Sequence, residues 1–313
     1  MRETNCIICQ SDRKRTLEEQ GFRDDYLGLI HPSYQHEARR LVICESCGFV
    51  YHDPQLDERD IEALYDKFRD ASFRNESPDA YFDRITSLPK AESENQAKVE
   101  WLRVHASEQL RRGGGLLDIG CGGGVFIHTF LQNCADWNAA GVEPTPAFAE
   151  LAARRLARPV IAGIYRSGLF AGPRFDLISI NQVLEHVVDP HAFLGDVRRD
   201  LADSGLVYLE VPDVLDLGFL APTHDRFMMQ HLWVFSRSSL ANLCRRAGYT
   251  VVALDQQVTF RQKRNLVALL SKNPSAADAA VDRELLRDEP EWVVSLRRQY
   301  HSGFGAVSAS RSA

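Results

Sequence analysis

The sequence predicts an α/β protein built on a seven-stranded, mostly parallel sheet and preceded by a small metal-binding module. Three observations carry this. Strand-like and helix-like patterns alternate from residue 113 onward, the signature of parallel strands joined by crossover helices. A glycine-rich turn, Gly120-Cys121-Gly122-Gly123-Gly124, follows the first apolar run of that region. Two CxxC pairs, Cys6 with Cys9 and Cys44 with Cys47, stand near the N-terminus.

At 313 residues the chain exceeds a typical domain of roughly 100–200 residues, so a core plus a smaller module is expected. A hydrophobic content of 44% against 26% charged residues supplies a sizeable core and argues against disorder. The net charge of -6 gives no field to draw the chain to nucleic acid or an anionic membrane. A small-molecule partner is therefore expected, with no nucleic acid. The longest apolar runs, such as Leu177-Ile178-Ser179-Ile180, are too short to span a bilayer, and Met1-Arg2-Glu3-Thr4 opens no signal core. A cytoplasmic location with no membrane span follows as the expectation, and there cysteines serve as metal ligands or buried thiols rather than disulfides.

Taken in order, residues 1–55 form the metal module, with short strand-like runs at 41–43 and 49–51 flanking the second CxxC pair. Residues 56–112 read as a helical linker: Ile61, Leu64, Tyr65 and Phe68 recur at three- and four-residue spacing. Gly113-Gly114-Gly115 ends it. The core, residues 113–272, has candidate strands at 116–119, 139–142, 160–162, 175–180, 206–211, 251–254 and 266–270. Helices fall between them at 146–156, 191–201 and 236–247. No long helix separates the last two strands, so the seventh is expected to be antiparallel. Residues 273–313 make a C-terminal tail, with one helix around Trp292-Val293-Val294 and Leu296 and a frayed Ser-rich end.

The two CxxC pairs match a tetrahedral four-cysteine site for Zn2+. Four thiolates close the shell and leave no open position for chemistry, so a structural clip is expected over a redox pair. A nucleic-acid-reading ribbon is disfavoured because Asp24-Asp25 and Glu18-Glu19 offset Arg13-Lys14-Arg15 and Arg39-Arg40.

In the glycine turn, Gly120 and Gly122 supply positive φ or the absence of a Cβ, and the helix that follows offers free N–H groups. A dinucleotide fingerprint, GxGxxG, fails on register, because Val125 stands where its third glycine belongs. The pattern is instead DxGxGxG from Asp118 to Gly124. An acid at Asp118 suits a ligand with a cationic end, and Glu143, at the tip of the next strand, suits paired ribose hydroxyls.

LLDIGCGGG at 116–124, GVEP at 141–144 and FDLISINQVLEHVVDP at 175–190, in this order, resemble class I S-adenosylmethionine-dependent methyltransferases over about residues 111–272. The resemblance implies a Rossmann-like seven-stranded methyltransferase core. It implies that Asp118, Gly120, Gly122 and Gly124 line the cofactor, that Glu143 binds its ribose, and that Asn181 and Gln182 close the pocket. The chain departs from many relatives at Ala162-Gly163-Ile164-Tyr165, where they carry an acid near the adenine. With the four-cysteine site and His52-Asp53-Pro54, the architecture is similar to a bacterial group that includes sugar C-methyltransferases, which implies a sugar or nucleotide-sugar acceptor.

Methyl transfer needs positioning of the acceptor and, for some acceptors, removal of its proton. His186 and His231 are the candidate bases. Residues 228–236, MMQHLWVFS, resemble the YHEHLxYFS-type segment of those enzymes. His231 matches its second histidine, but Met228, Met229 and Gln230 replace the tyrosine, first histidine and glutamate, which makes O-methylation as well supported as C-methylation. A nicotinamide-dependent oxidoreductase and a zinc-stabilised non-catalytic binding protein are the competing classes.

Overall fold

A computed structural model describes residues 2–21, 24–65, 67, 76–272 and 287–301. The expected helical contribution of Phe68, most of the tail and its Ser-rich end lie outside the described residues. The N-terminal part contains β1 (Lys14–Gln20), α1 (Asp25–Ile30), β2 (Arg39–Cys44), β3 (Val50–His52), α2 (Glu58–Tyr65) and α3 (Pro78–Thr86). Next come α4 (Glu94–His105) and α5 (Ser107–Arg112), β4 (Gly114–Ile119), α6 (Val125–Asn133), β5 (Trp137–Glu143), α7 (Pro146–Leu156) and β6 (Val160–Ala162). The second half runs through β7 (Phe175–Asn181), α8 (Pro190–Asp200), β8 (Leu201–Pro212), β9 (Trp233–Val234), α9 (Arg237–Arg246), β10 (Tyr249–Val258), β11 (Arg264–Lys272) and α10 (Pro290–Gln299).

The central sheet has the order β10-β11-β8-β7-β4-β5-β6. Strands β4 to β8 pair in parallel, and β11 runs antiparallel to both β8 and β10. All seven expected strands are present, with β8 longer than the sequence pattern indicated: Leu201, expected to end a helix, opens the strand. Within the sheet, Leu177 and Ile178 of β7, Leu209 of β8 and Leu269 of β11 are fully buried, as strands covered on both faces require. Helix α4 buries Val99 and Leu102 against this sheet, and Asp189 and Ser236 cap α8 and α9 by accepting from backbone N–H groups.

The order of the sheet reverses between β4 and β7. Chain connections leave in opposite directions there, and a crevice opens at the strands' carboxyl ends. Asp118, next to last in β4, lies opposite Gly141 of β5 and Ser179 of β7. Gly120 and Gly124 hold φ of 71° and 81°, which L side chains rarely adopt. A Cβ on Gly124 would sit 2.6 Å from Leu156 Cδ1 and 3.1 Å from Ala152 Cβ. Gly124→Ala is expected to cost about 1–3 kcal/mol from backbone strain and overpacking together, measured as a lower midpoint in urea.

A second sheet, β1-β2-β3-β9, was only half legible. β1 reads as a polar run, and β9 is two residues long and arrives from the far side of the chain. Trp233 pairs with Tyr51 and Val234 with Val50. Phe49, Tyr51, Trp233 and Phe235 form an aromatic cluster with ring centroids 5.7–6.2 Å apart. One apolar cluster runs continuously from Cys6 and Cys44 through Trp233 to Leu240 of α9 and Leu209 of the central sheet.

Candidate active site

Three groups of side chains converge on functional geometry. The first is the crevice between β4 and β7. Asp118 is 2% exposed, and its Oδ1 accepts from Ser179 Oγ at 2.6 Å and Asn181 Nδ2 at 3.2 Å. Burial raises its pKa from the ordinary carboxylate range to about 7, against the pull of the two hydrogen bonds and of Lys98, and with Glu143 adding to the rise. A buried carboxyl held near neutrality is stabilised by an incoming positive charge, so this position fits a ligand with an ammonium or sulfonium group.

Glu143, the last residue of β5, is also buried. Its carboxylate accepts from Gly122 N at 2.8 Å and Thr145 N at 3.0 Å. The backbone of Gly120 and Cys121 is pinned to Val142 O at 2.8 and 3.0 Å, so loop and acid form one rigid cradle. Each carboxylate oxygen keeps a further lone-pair site for a hydroxyl donor. Asn181 belongs here through Asp118. Gln182, in a positive-φ conformation of 54°, donates to Glu210 Oε1 at 3.1 Å.

The second group was not singled out in the sequence. Lys98 of α4 reaches Asn181 Oδ1 and Glu210 Oε1, both at 3.1 Å. Glu210 also accepts from Tyr208 OH at 3.1 Å and Asn265 Nδ2 at 2.9 Å. These groups border a cavity of about 450 Å³ lined by Glu94, Lys98, Glu210, Gln257, Phe260 and Asn265. No motif marks them: each is an isolated polar residue on its own element, and the sheet order alone assembles them.

The third group contains both candidate bases. The rings of His186 and His231 meet edge to face at 4.5 Å. His186 Nδ1 lies 2.7 Å from Gln230 O, and Tyr65 meets the same ring at 6.2 Å. Tyr65 O accepts from Thr145 Oγ1 at 3.5 Å, which ties this corner to the Glu143 loop. Burial, and then the neighbouring His186, push the His231 pKa well below the usual histidine range. Glu185 is fully buried, and burial raises its carboxyl to about 8.

Met229 is buried in the core, and Met228 Sδ rests 2.6 Å from Arg39 Nη1, itself paired with Asp24 at 2.7 Å. The turn at residues 224–226 is anchored by its arginine. The Arg226 guanidinium is buried on Asp216 at 2.6 Å and Asn265 Oδ1 at 2.5 Å, with a third bond to Arg264 O.

At the N-terminus, the sulfurs of Cys6, Cys9, Cys44 and Cys47 all lie within 4.8 Å of one another, with Cys6 to Cys47 at 3.6 Å and Cys9 to Cys44 at 3.5 Å. A tetrahedral ion with bonds of about 2.3 Å to sulfur requires edges of about 3.8 Å, so the cluster fits one. Hydrogen bonds from Cys47 and Cys6 hold Cys44 far below the usual thiol range.

The strand order, the glycine cradle and the paired acids at adjacent strand tips define the class I methyltransferase architecture. The family model described as "Methyltransferase domain" matches residues 92–254, over half of the chain. The chain belongs to this family and carries the core of an S-adenosylmethionine-dependent methyltransferase. It is 35% identical over 110 residues to a ubiquinone biosynthesis O-methyltransferase of Azorhizobium caulinodans, covering 33% of this chain and 43% of that one. It is 28% identical over 198 residues to a release factor glutamine methyltransferase of Xylella fastidiosa, covering 59% and 69%. The chain thus spans less than half the length of the ubiquinone relatives it matches, 39% and 43% of two of them. Among solved structures, the 1,6-didemethyltoxoflavin-N1-methyltransferase of Burkholderia thailandensis, with 1,6-didemethyltoxoflavin and S-adenosylhomocysteine bound, superposes with a TM-score of 0.51 at 20% identity, covering 75% of this chain and 95% of that one. This likeness concerns the fold. Among the described residues no helix is long and apolar enough to cross a membrane.

Proposed function

We propose that the protein transfers the methyl group of S-adenosylmethionine to a sugar or nucleotide-linked sugar, at oxygen or carbon. The observation that carries the cofactor assignment is the rigid cradle joining Gly122 to Glu143, with Asp118 buried beside it. Asp118 takes the cationic amino acid end, Glu143 the ribose hydroxyls, and Gly120, Gly122 and Gly124 admit the nucleoside against the backbone. Asn181 orients Asp118, and Gln182 links the pocket floor to Glu210. S-adenosylmethionine supplies a methyl carbon already activated by its sulfonium, so the protein's task is to align an acceptor in line with it and assist loss of the acceptor proton. His186 and His231 are assigned that assistance.

The four cysteines are assigned a structural Zn2+. Their combination with His231 in the 228–236 segment supports the sugar class of acceptor. We divide the chain accordingly into a zinc module at 1–55, a helical segment at 56–112, the catalytic core at 113–272 and a tail at 273–313. A nicotinamide-dependent oxidoreductase lacks support at Val125, and a non-catalytic binding protein leaves the cradle without a role.

Calorimetric titration with S-adenosylhomocysteine and, in parallel, NADH tests the reading. Micromolar binding of the former alone is expected, weakened at least tenfold in Glu143→Ala by loss of two charge-assisted hydrogen bonds. Binding of NADH alone, or of neither, would sink it.

A further inference from the structure

We propose that Glu185, His186 and His231 form a second metal site, distinct from the four cysteines, that holds a divalent first-row transition ion such as Zn2+ beside the acceptor. One ligand atom from each residue lies within 4.8 Å of the other two, so small side-chain rotations bring all three within the 2.0–2.2 Å at which nitrogen and oxygen bind zinc. Two imidazoles and a carboxylate are the donor set of catalytic sites that keep positions open for an exchangeable ligand, unlike a closed four-thiolate shell.

Three details of the cluster fit a cation. Neither Glu185 oxygen receives a hydrogen bond from another residue among those described, although the residue is completely buried. A carboxylate so placed is costly unless a positive charge completes it. His231 is held by the Arg226 backbone, while its Nδ1 is buried without a partner. His186 Nδ1 donates to Gln230 O at 2.7 Å, which leaves Nε2 with the lone pair, 3.9 Å from Glu185 Oε1. Metal-bound histidines are fixed in this way, with the second ring N–H on a carbonyl. The cationic side chains that act on Glu185, Arg226 and Lys98, are engaged elsewhere: Arg226 on Asp216 and Asn265, Lys98 on Glu210 and Asn181.

The site deepens the methyltransferase reading and, for its function, rests on it. An acceptor hydroxyl polarised by the ion loses its proton to solvent at neutral pH. Its oxygen then forms the bond to the methyl carbon, and the carbon–sulfur bond breaks with its electron pair staying on sulfur. This selects acceptors that offer a hydroxyl beside a second oxygen, as a sugar diol does, and favours O-methylation. His186 and His231 then act through the ion rather than by taking the proton themselves.

The test is a metal count on the full chain after equilibrium dialysis against micromolar Zn2+, with S-adenosylhomocysteine binding measured on the same samples. The wild type is expected to hold two equivalents, and Glu185→Gln and His231→Ala one each. Glu185→Gln replaces a buried acid by a neutral group of the same shape, and retained S-adenosylhomocysteine binding certifies its fold. One equivalent or fewer in the wild type, or two in both variants, overturns the site. Two equivalents without S-adenosylhomocysteine binding would keep the metal site and discard the methyltransferase reading.

Discussion

Cys44→Ser is expected to leave the protein largely unfolded in its N-terminal third at room temperature and to abolish cofactor binding, although none of the four clustered cysteines belongs to the cradle. Structural zinc contributes roughly 10–16 kcal/mol of binding free energy that is also folding free energy, as much as the whole stability of a typical domain, roughly 5–15 kcal/mol. Here the loss spreads. Cys44 ends β2, Phe49 stacks on Trp233, and Trp233 Nε1 donates to Val187 O at 2.7 Å, one residue past His186. Cys244→Ala, which removes a buried thiol outside the cluster, serves as the control and is expected to cost only about 1–2 kcal/mol. Scanning calorimetry and zinc content read the result, and a Cys44→Ser protein that melts within a few degrees of the control would refute the structural role.

The second large effect has opposite signs for stability and binding. Asp118→Asn is expected to weaken S-adenosylhomocysteine binding by about 100-fold, the loss of one buried charge-assisted contact, yet to raise the melting temperature of the ligand-free protein at pH 8. The folded-state pKa of about 7 lies above an unfolded value of about 3.9. Between those values the folded state binds more protons than the unfolded one, so stability falls as pH rises from about 4 to 7 and the penalty is complete above 7. Asparagine keeps an oxygen for Ser179 and Asn181 and removes the buried charge, a gain of roughly 2–4 kcal/mol at pH 8 and almost none near pH 4. Thermal melts at the two pH values check it, and a variant less stable than wild type at pH 8 would contradict the assignment of Asp118 as a strained acid.

The central sheet was legible because each strand is a short apolar run closed by a turn residue, and because the crossover helices carry their own period. The glycine turn was legible because backbone at positive φ favours glycine, and the four cysteines because paired CxxC spacing is a metal-ligand pattern readable in sequence. Lys98, Glu210 and Asn265 left no trace, since a lysine on an amphipathic helix reads as surface until the sheet order sets it beside a buried glutamate. Glu185 was hidden differently: it stands inside a recognised motif, but nothing in the motif says that its carboxyl is sealed from other donors. β9 escaped because two residues are too few for any periodicity.

That short strand bears on how the protein can be re-engineered. Trp233 and Val234 complete a sheet whose other three strands come from the first fifty-two residues, and His231 lies two positions upstream. A chimera that exchanges the N-terminal module alone would bring strands with no matching edge to pair against and would dislodge the histidine. The exchangeable unit is therefore discontinuous in the chain, the first fifty-odd residues together with the 228–236 segment, and libraries built to change acceptor preference should recombine the two as a block.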